Sequence, residues 1–126
     1  MEKGKLTQNK VHLEDHEYKT VKFFLDRGYD IELIPPSRIK GYHTPDFVMN
    51  GLPWEMKAPK GTGKYTVQNT MQIATHQSVN IIIDLRRTKM AESRAINEFK
   101  NAFIKSKNVK RMKIITKAEE ILDFEK

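Results

Sequence analysis

The stretch HTPDFVMNGLPWEMKAPKG, residues 43–61, carries two largely apolar runs on either side of Asn50-Gly51. A two-residue type I′ turn needs positive φ at both central positions, and Asn followed by Gly tolerates this best, so the stretch predicts a tight β-hairpin. The turn also sets the register: Met49 faces Leu52, Val48 faces Pro53, Phe47 faces Trp54, Asp46 faces Glu55 and Thr44 faces Lys57. Directly opposed residues share a sheet face with Cβ atoms about 4.5–5.5 Å apart, and the period of two puts Lys57 on the face of Glu55. Asp46, Glu55 and Lys57 are therefore expected to converge on one face, while Phe47 and Trp54 pack on the other under a helix.

Two carboxylates placed opposite each other repel, and water, a shared proton, a cation or the neighbouring lysine must compensate. A divalent metal does so best, because hard ions such as Mg²⁺ commonly take one or two carboxylates and fill the rest of the shell with water and substrate phosphate. The chain has no cysteine. Any metal is then held by carboxylates, histidines, backbone or water, and neither a disulfide framework nor a thiol nucleophile is available. Glu17 supplies a further acid: on a helical wheel it falls inside the stripe of Leu13, Val21 and Phe24, the face that is buried, so its carboxylate needs a partner. It is expected as a third metal ligand or as the base for an attacking water, with Glu14 one turn earlier as the fallback.

Outward from the hairpin, residues 1–10 are polar and unpatterned and read as a flexible lead or linker stub, leaving 11–126 as a single domain. Leu13, Val21, Phe24 and Leu25 recur at helical spacing ahead of Gly28, and YDIELI alternates like a strand up to Pro35-Pro36. After the glycine-rich KGTGK loop, Val67, Met71 and Ala74 mark a second helix, and VNIIIDL is a nearly continuous apolar run of the kind buried at the centre of a sheet. Ala95, Ile96, Phe99, Ala102 and Phe103 line one face of a third helix; RMKIIT follows as a strand, with EILDF as a last edge strand. The order predicts an α/β fold: a mixed sheet with helices on its faces.

The 126 residues are 38% hydrophobic and 31% charged, as in a soluble globular domain. No apolar run approaches the roughly 20 residues that cross a bilayer, and MEKGKLTQNK lacks the apolar segment of a secretory signal. The net charge of +7, with a pI near 9.6, favours polyanionic partners such as nucleic acid or an acidic protein. Lys60, Lys64, Arg86 and Arg87 are the candidate phosphate contacts, and Asn69, His76 and Gln77 are candidates for lining a substrate groove. GTGKY is not a nucleotide-binding Walker loop, which needs four residues between its glycines and Ser or Thr after the Lys. His43 and His76 offer a metal-independent alternative, acting as general base and acid while an RNA 2′-OH attacks its own phosphate.

Pro45-Asp46, a spacer and Glu55-x-Lys57 form the signature of the PD-(D/E)XK nuclease superfamily, whose fold also begins with a helix often bearing an acid. The longer run TPDFVMNGLPWEMKAPKG, followed by NIIIDLRR and the terminal IITK and ILDF, resembles the tRNA-cleaving C-terminal toxin domain of contact-dependent growth inhibition proteins. That module also occurs on other polymorphic toxins and phage-associated proteins. The resemblance extends from the first helix to the end of the chain. It implies a restriction-endonuclease-like core, a divalent metal (Mg²⁺, with Mn²⁺ or Zn²⁺ as variants), tRNA as substrate and a cognate immunity protein. It also implies action in the cytoplasm of a target cell after delivery within a larger secreted or phage-associated protein. Matched by motif, Asp46 and Glu55 are the metal-binding acids, Lys57 the catalytic lysine and Glu17 the acid of the first helix. The same core serves DNA-cleaving enzymes of repair, restriction and recombination, and a fold does not fix a substrate. A DNA nuclease and a non-catalytic basic module binding RNA or protein are the alternatives.

Overall fold

Asn50 and Gly51 have φ of 54° and 77°, the left-handed pair that a type I′ turn demands. The register follows, with Met49 paired to Leu52, Val48 to Pro53 and Phe47 to Trp54. The protein is described by a computed structural model covering residues 2–126. Along the chain run strand β1 (Leu6–Thr7), helix α1 (Asp15–Leu25), strands β2 (Ile31–Leu33), β3 (Phe47–Met49) and β4 (Leu52–Lys57), helix α2 (Thr66–Gln77), strand β5 (Asn80–Asp84), helix α3 (Glu92–Lys105), and strands β6 (Arg111–Ile115) and β7 (Ile121–Glu125). The strands lie in chain order in one seven-stranded sheet. Pairs β1–β2, β4–β5 and β5–β6 are parallel; β2–β3, β3–β4 and β6–β7 are antiparallel.

All five residues of β5 are buried, as expected of a central strand covered on both sides. Alternation along it separates two cores. Ile81 and Ile83 join Val67, Met71 and Ala74 of α2 and Ala95, Phe99 and Phe103 of α3, whereas Ile82 faces Val21 and Phe24 of α1 together with Phe47, Met49 and Trp54 of the hairpin. Hence α1 covers one face and α2 and α3 the other, a mixed α/β architecture with helices on both sides of the sheet. Burying each of these large side chains contributes roughly 1.5–3 kcal/mol before entropy is counted. No helix among the described residues is long and apolar enough to cross a membrane.

The N-terminal segment departs from the expected flexible lead. Leu6–Thr7 pairs in parallel with Ile31–Glu32, the Gly4 N–H donates to the Leu25 carbonyl at 2.7 Å, and the Lys5 N–H donates to Asp30 Oδ1 at 2.7 Å. Gly4 lies so close to the next layer of chain that a Cβ there would meet the Tyr29 carbonyl oxygen at 1.7 Å. Asn9 Nδ2 closes the segment on the Leu33 carbonyl at 2.9 Å. A two-residue edge strand carries no periodicity, so backbone hydrogen bonds order residues 4–9 without an apolar pattern to announce them. The boundary expected at residue 10 is corrected accordingly: the sheet begins before it.

Candidate active site

Strands β3 and β4 stay paired only as far as Phe47 and Trp54. One residue further, the Asp46 N–H still reaches the Trp54 carbonyl at 2.9 Å, but Asp46 Oδ2 accepts the Met56 N–H at 2.8 Å where a backbone carbonyl would otherwise serve. The Asp46 carbonyl accepts the Ile34 N–H at 2.9 Å from the other side. Three bonds thus fix Asp46 where the hairpin strands part. Glu55, adjacent to Trp54 on β4, is 2% exposed and lies beside Ile81 in the parallel register, on the face covered by α2 and α3. Lys57, two residues on and on the same face, places Nζ 3.0 Å from Glu55 Oε2. The expected convergence of Asp46, Glu55 and Lys57 is present.

Glu55 Oε1 is buried and has no hydrogen-bond partner. The Asp46 carboxyl lies within hydrogen-bonding reach, yet two ionised carboxylates have no proton to share. Burial, then the Asp46 charge, pushes the Glu55 carboxyl up to about 8, with Lys57 opposing the shift. Burial also raises Asp46, against the Met56 N–H that favours its ionised form. A proton shared by the pair, or a cation in its place, would relieve this repulsion.

These groups open onto a cavity of about 470 Å³, which Glu17, Asn69, Gln77 and Arg87 also line. Glu17 reaches it from α1, the helix on the opposite face of the sheet, and its Oε1 accepts the Glu14 N–H at 2.9 Å in a reciprocal capping box. Among the described residues no three His, Asp or Glu side chains are close enough to hold one metal. Asp46 and Glu55 form a pair, and Glu17 stands at the cavity wall as part of its helix N-terminus, so the expected three-acid cluster is not assembled here. Glu14, the fallback, is the partner in that cap.

The basic candidates divide. Arg86 points away from the cavity: Nη2 lies 2.8 Å from Asp84 Oδ2 and 2.9 Å from the Lys19 carbonyl, and Nη1 3.4 Å from Glu119. Asp84, 4% exposed, also accepts the Thr20 hydroxyl at 2.7 Å, tying the end of β5 to α1. Burial alone would raise its carboxyl, but the hydrogen bonds from Arg86 and Thr20 outweigh it and hold the group below the usual carboxylate range. Arg86 is thus corrected from a phosphate contact to a structural tie. Arg87 lines the cavity and anchors itself through Nε to the Ala58 carbonyl at 2.7 Å. Lys60 and Lys64 are exposed on the glycine-rich loop, whose carbonyls are pinned from within by Thr88 on Gly61 (3.0 Å) and Arg94 on Thr62 and Gly63 (3.2 and 3.3 Å).

On α2 the residues lining the cavity are Asn69, Thr70, Ile73 and Gln77. A step of four keeps 69, 73 and 77 on one face, whereas His76 lies about 100° off that line and is exposed outside the cavity. His76 is therefore displaced from the groove, and His43 belongs to a different cavity, so the geometry does not bring the two histidines together. His16 and Thr20 line the site without having been anticipated; their spacing of four on α1, three beyond Leu13 and Glu17, was the available signal.

The family profile for the contact-dependent growth inhibition CdiA C-terminal domain matches residues 43–121. No curated protein matches the chain. Among solved structures, a CdiA-CT/CdiI toxin and immunity complex from Burkholderia pseudomallei contains a chain with the same fold, at a TM-score of 0.70 and 16% sequence identity, covering 98% of this chain and 100% of that one. With the family match spanning more than half of its length, from the histidine before the hairpin to the first residue of β7, this chain belongs to the contact-dependent growth inhibition CdiA C-terminal domain family.

Proposed function

We propose that this toxin domain is a metal-dependent endonuclease of the PD-(D/E)XK type that cuts tRNA phosphodiester bonds. It is delivered as part of a larger protein, acts in the cytoplasm of a target cell and is held inactive by a cognate immunity protein, as the fold neighbour solved with its own immunity partner suggests. The observation that carries the reading is the Glu55 carboxylate: buried, facing Asp46, and left with one unpartnered oxygen in a cavity that Lys57 and Arg87 also line. A structural acid has no reason to be left so, as Asp84 illustrates.

The donor set fits a divalent cation. Asp46 and Glu55 supply two hard oxygen ligands, few enough that water and substrate phosphate complete the shell, which suits Mg²⁺ and admits Mn²⁺ or Zn²⁺. When bound, such an ion lowers the pKa of a water and polarises a phosphate oxygen. Asp46 and Glu55 would hold it, and Glu17 at the wall would take up a proton from the attacking water. Lys57 brings positive charge to the reacting phosphate and stabilises the charge that develops on it. Lys60, Lys64 and Arg87 bind flanking phosphates, so binding weakens as salt rises.

Incubation with total tRNA and with duplex DNA, each with and without EDTA, tests the reading. The expected outcome is tRNA cleavage that EDTA abolishes, and that Asp46→Ala or Glu55→Ala removes while RNA binding is kept or strengthened. Cleavage of duplex DNA alone overturns the substrate; chelator-resistant cleavage leaving 2′,3′-cyclic phosphates overturns the metal.

A further inference from the structure

A second cavity, of about 320 Å³, adjoins the first, and Glu17, Asp46 and Gln77 line both. Its character differs. Both cavities share the acids Glu17 and Asp46, but Lys57 and Arg87 line only the first; the second has His12 and His43 and no lysine or arginine to offset a phosphate's charge. Leu13, Ile34 and Pro36 give it apolar walls, and Tyr42, an aromatic residue left 64% exposed, lines it from the loop before the hairpin. Gln77 adds an independent sign. Its Oε1 and Glu55 Oε1 are the two buried side-chain atoms among the described residues that lack a hydrogen-bond partner, and both residues line the cavity at the acid pair.

Unpartnered buried amides call for a ligand, and pockets of about 300–1,000 Å³ with apolar walls and a few hydrogen-bonding groups suit flat organic ligands. We propose that this second cavity holds the unstacked base of the nucleotide next to the phosphate at the acid pair, with Tyr42 as its stacking partner and Gln77 reading its edge. The inference rests on the nuclease reading for the position of the phosphate. Charge sorts the nucleotide: the anionic phosphate goes to Lys57, Lys60 and Arg87, and the neutral base to the side without lysine or arginine. Only an unpaired base fits, because a base in a duplex has its edge and both faces occupied. The domain would then cut at loops, ends or junctions of RNA.

The test uses short single-stranded RNAs carrying an abasic residue at each position in turn. Binding is read by fluorescence anisotropy on the Glu55→Gln protein and cleavage on the wild type. One abasic position beside the cut is expected to weaken binding about tenfold, as loss of one stacked base does. Adding Tyr42→Ala should weaken the intact RNA to a similar degree but leave the abasic RNA unaffected, while Tyr42→Phe binds like the unaltered ring. A flat abasic scan, or equal losses on intact and abasic RNA with Tyr42→Ala, overturns the base site. If the wild type cuts tRNA but the scan is flat, the base site falls and the nuclease reading stands. Position-specific binding without cleavage by the wild type supports the base site and removes the nuclease. Absence of RNA binding by every form removes both.

Discussion

Two buried acids on neighbouring parallel strands meet opposite fates. Asp84, at the end of β5, is wrapped by Arg86 and Thr20 and its carboxyl is lowered; Glu55, on β4, faces another acid, keeps one oxygen without a partner and its carboxyl is raised. The first is a finished interaction that holds α1 against the sheet. The second has Lys57 on one oxygen and nothing on the other, and a proton or a cation would complete it. Burial is common to both, so it is the completeness of the surrounding hydrogen bonds that separates a structural acid from one kept for chemistry.

The largest expected effect falls on the unfinished side. Glu55→Gln should cut tRNA cleavage by on the order of 10²–10³-fold or more while thermal unfolding shifts little or upward, since a like-charge contact is removed. A Glu55→Gln protein that loses stability with its activity breaks the contrast. Asp84→Ala should do the reverse, costing about 3–5 kcal/mol in urea unfolding because Arg86 is left half-buried without its partner; equal stability to the wild type would show that Asp84 is not a tie.

The pH responses of the two acids also oppose each other. Glu55 holds its proton more tightly folded than unfolded, so its contribution is full below about 4.5 and is lost as pH rises toward about 8. Asp84 is lowered, so its contribution is present above 3.8 and is lost as pH falls through its folded value. In EDTA the wild type should therefore lose on the order of 1–3 kcal/mol relative to Glu55→Gln between pH 5 and 8, and recover it with Mg²⁺ at pH 8. Calorimetric unfolding across that range checks the sign; parallel curves would refute it. The smallest effect separates neighbours: Arg87→Gln should lower the salt slope of RNA binding by about one, while Arg86→Gln leaves the slope alone and lowers stability.

Much of this was legible in the sequence wherever local rules act alone. Asn50-Gly51 dictates the hairpin register, and the register brings Asp46, Glu55 and Lys57 together. Helical spacing disclosed Met71, Phe99 and their neighbours as core. The rest turns on choices between competing partners. Glu17 falls on a buried stripe and also three residues after Glu14, and the cap won. Arg86 follows Asp84 by two residues on the same side of the chain, where a nearby acid outcompetes a distant phosphate. His76 and Gln77 differ by one step of helical phase that only the docked orientation of α2 resolves. Leu6–Thr7 is too short to show a period.

The tight turn has a kinetic consequence as well. A hairpin closes in about 1–10 μs, whereas the parallel pairing of β4, β5 and β6 must wait for helix-length crossovers. On this order of events the two acids would meet while the chain is still largely open, and their repulsion would add to the folding barrier. Refolding followed through Trp54, the sole tryptophan and the residue beside Glu55, should run faster in Mg²⁺ than in EDTA, and the difference should vanish in Glu55→Gln.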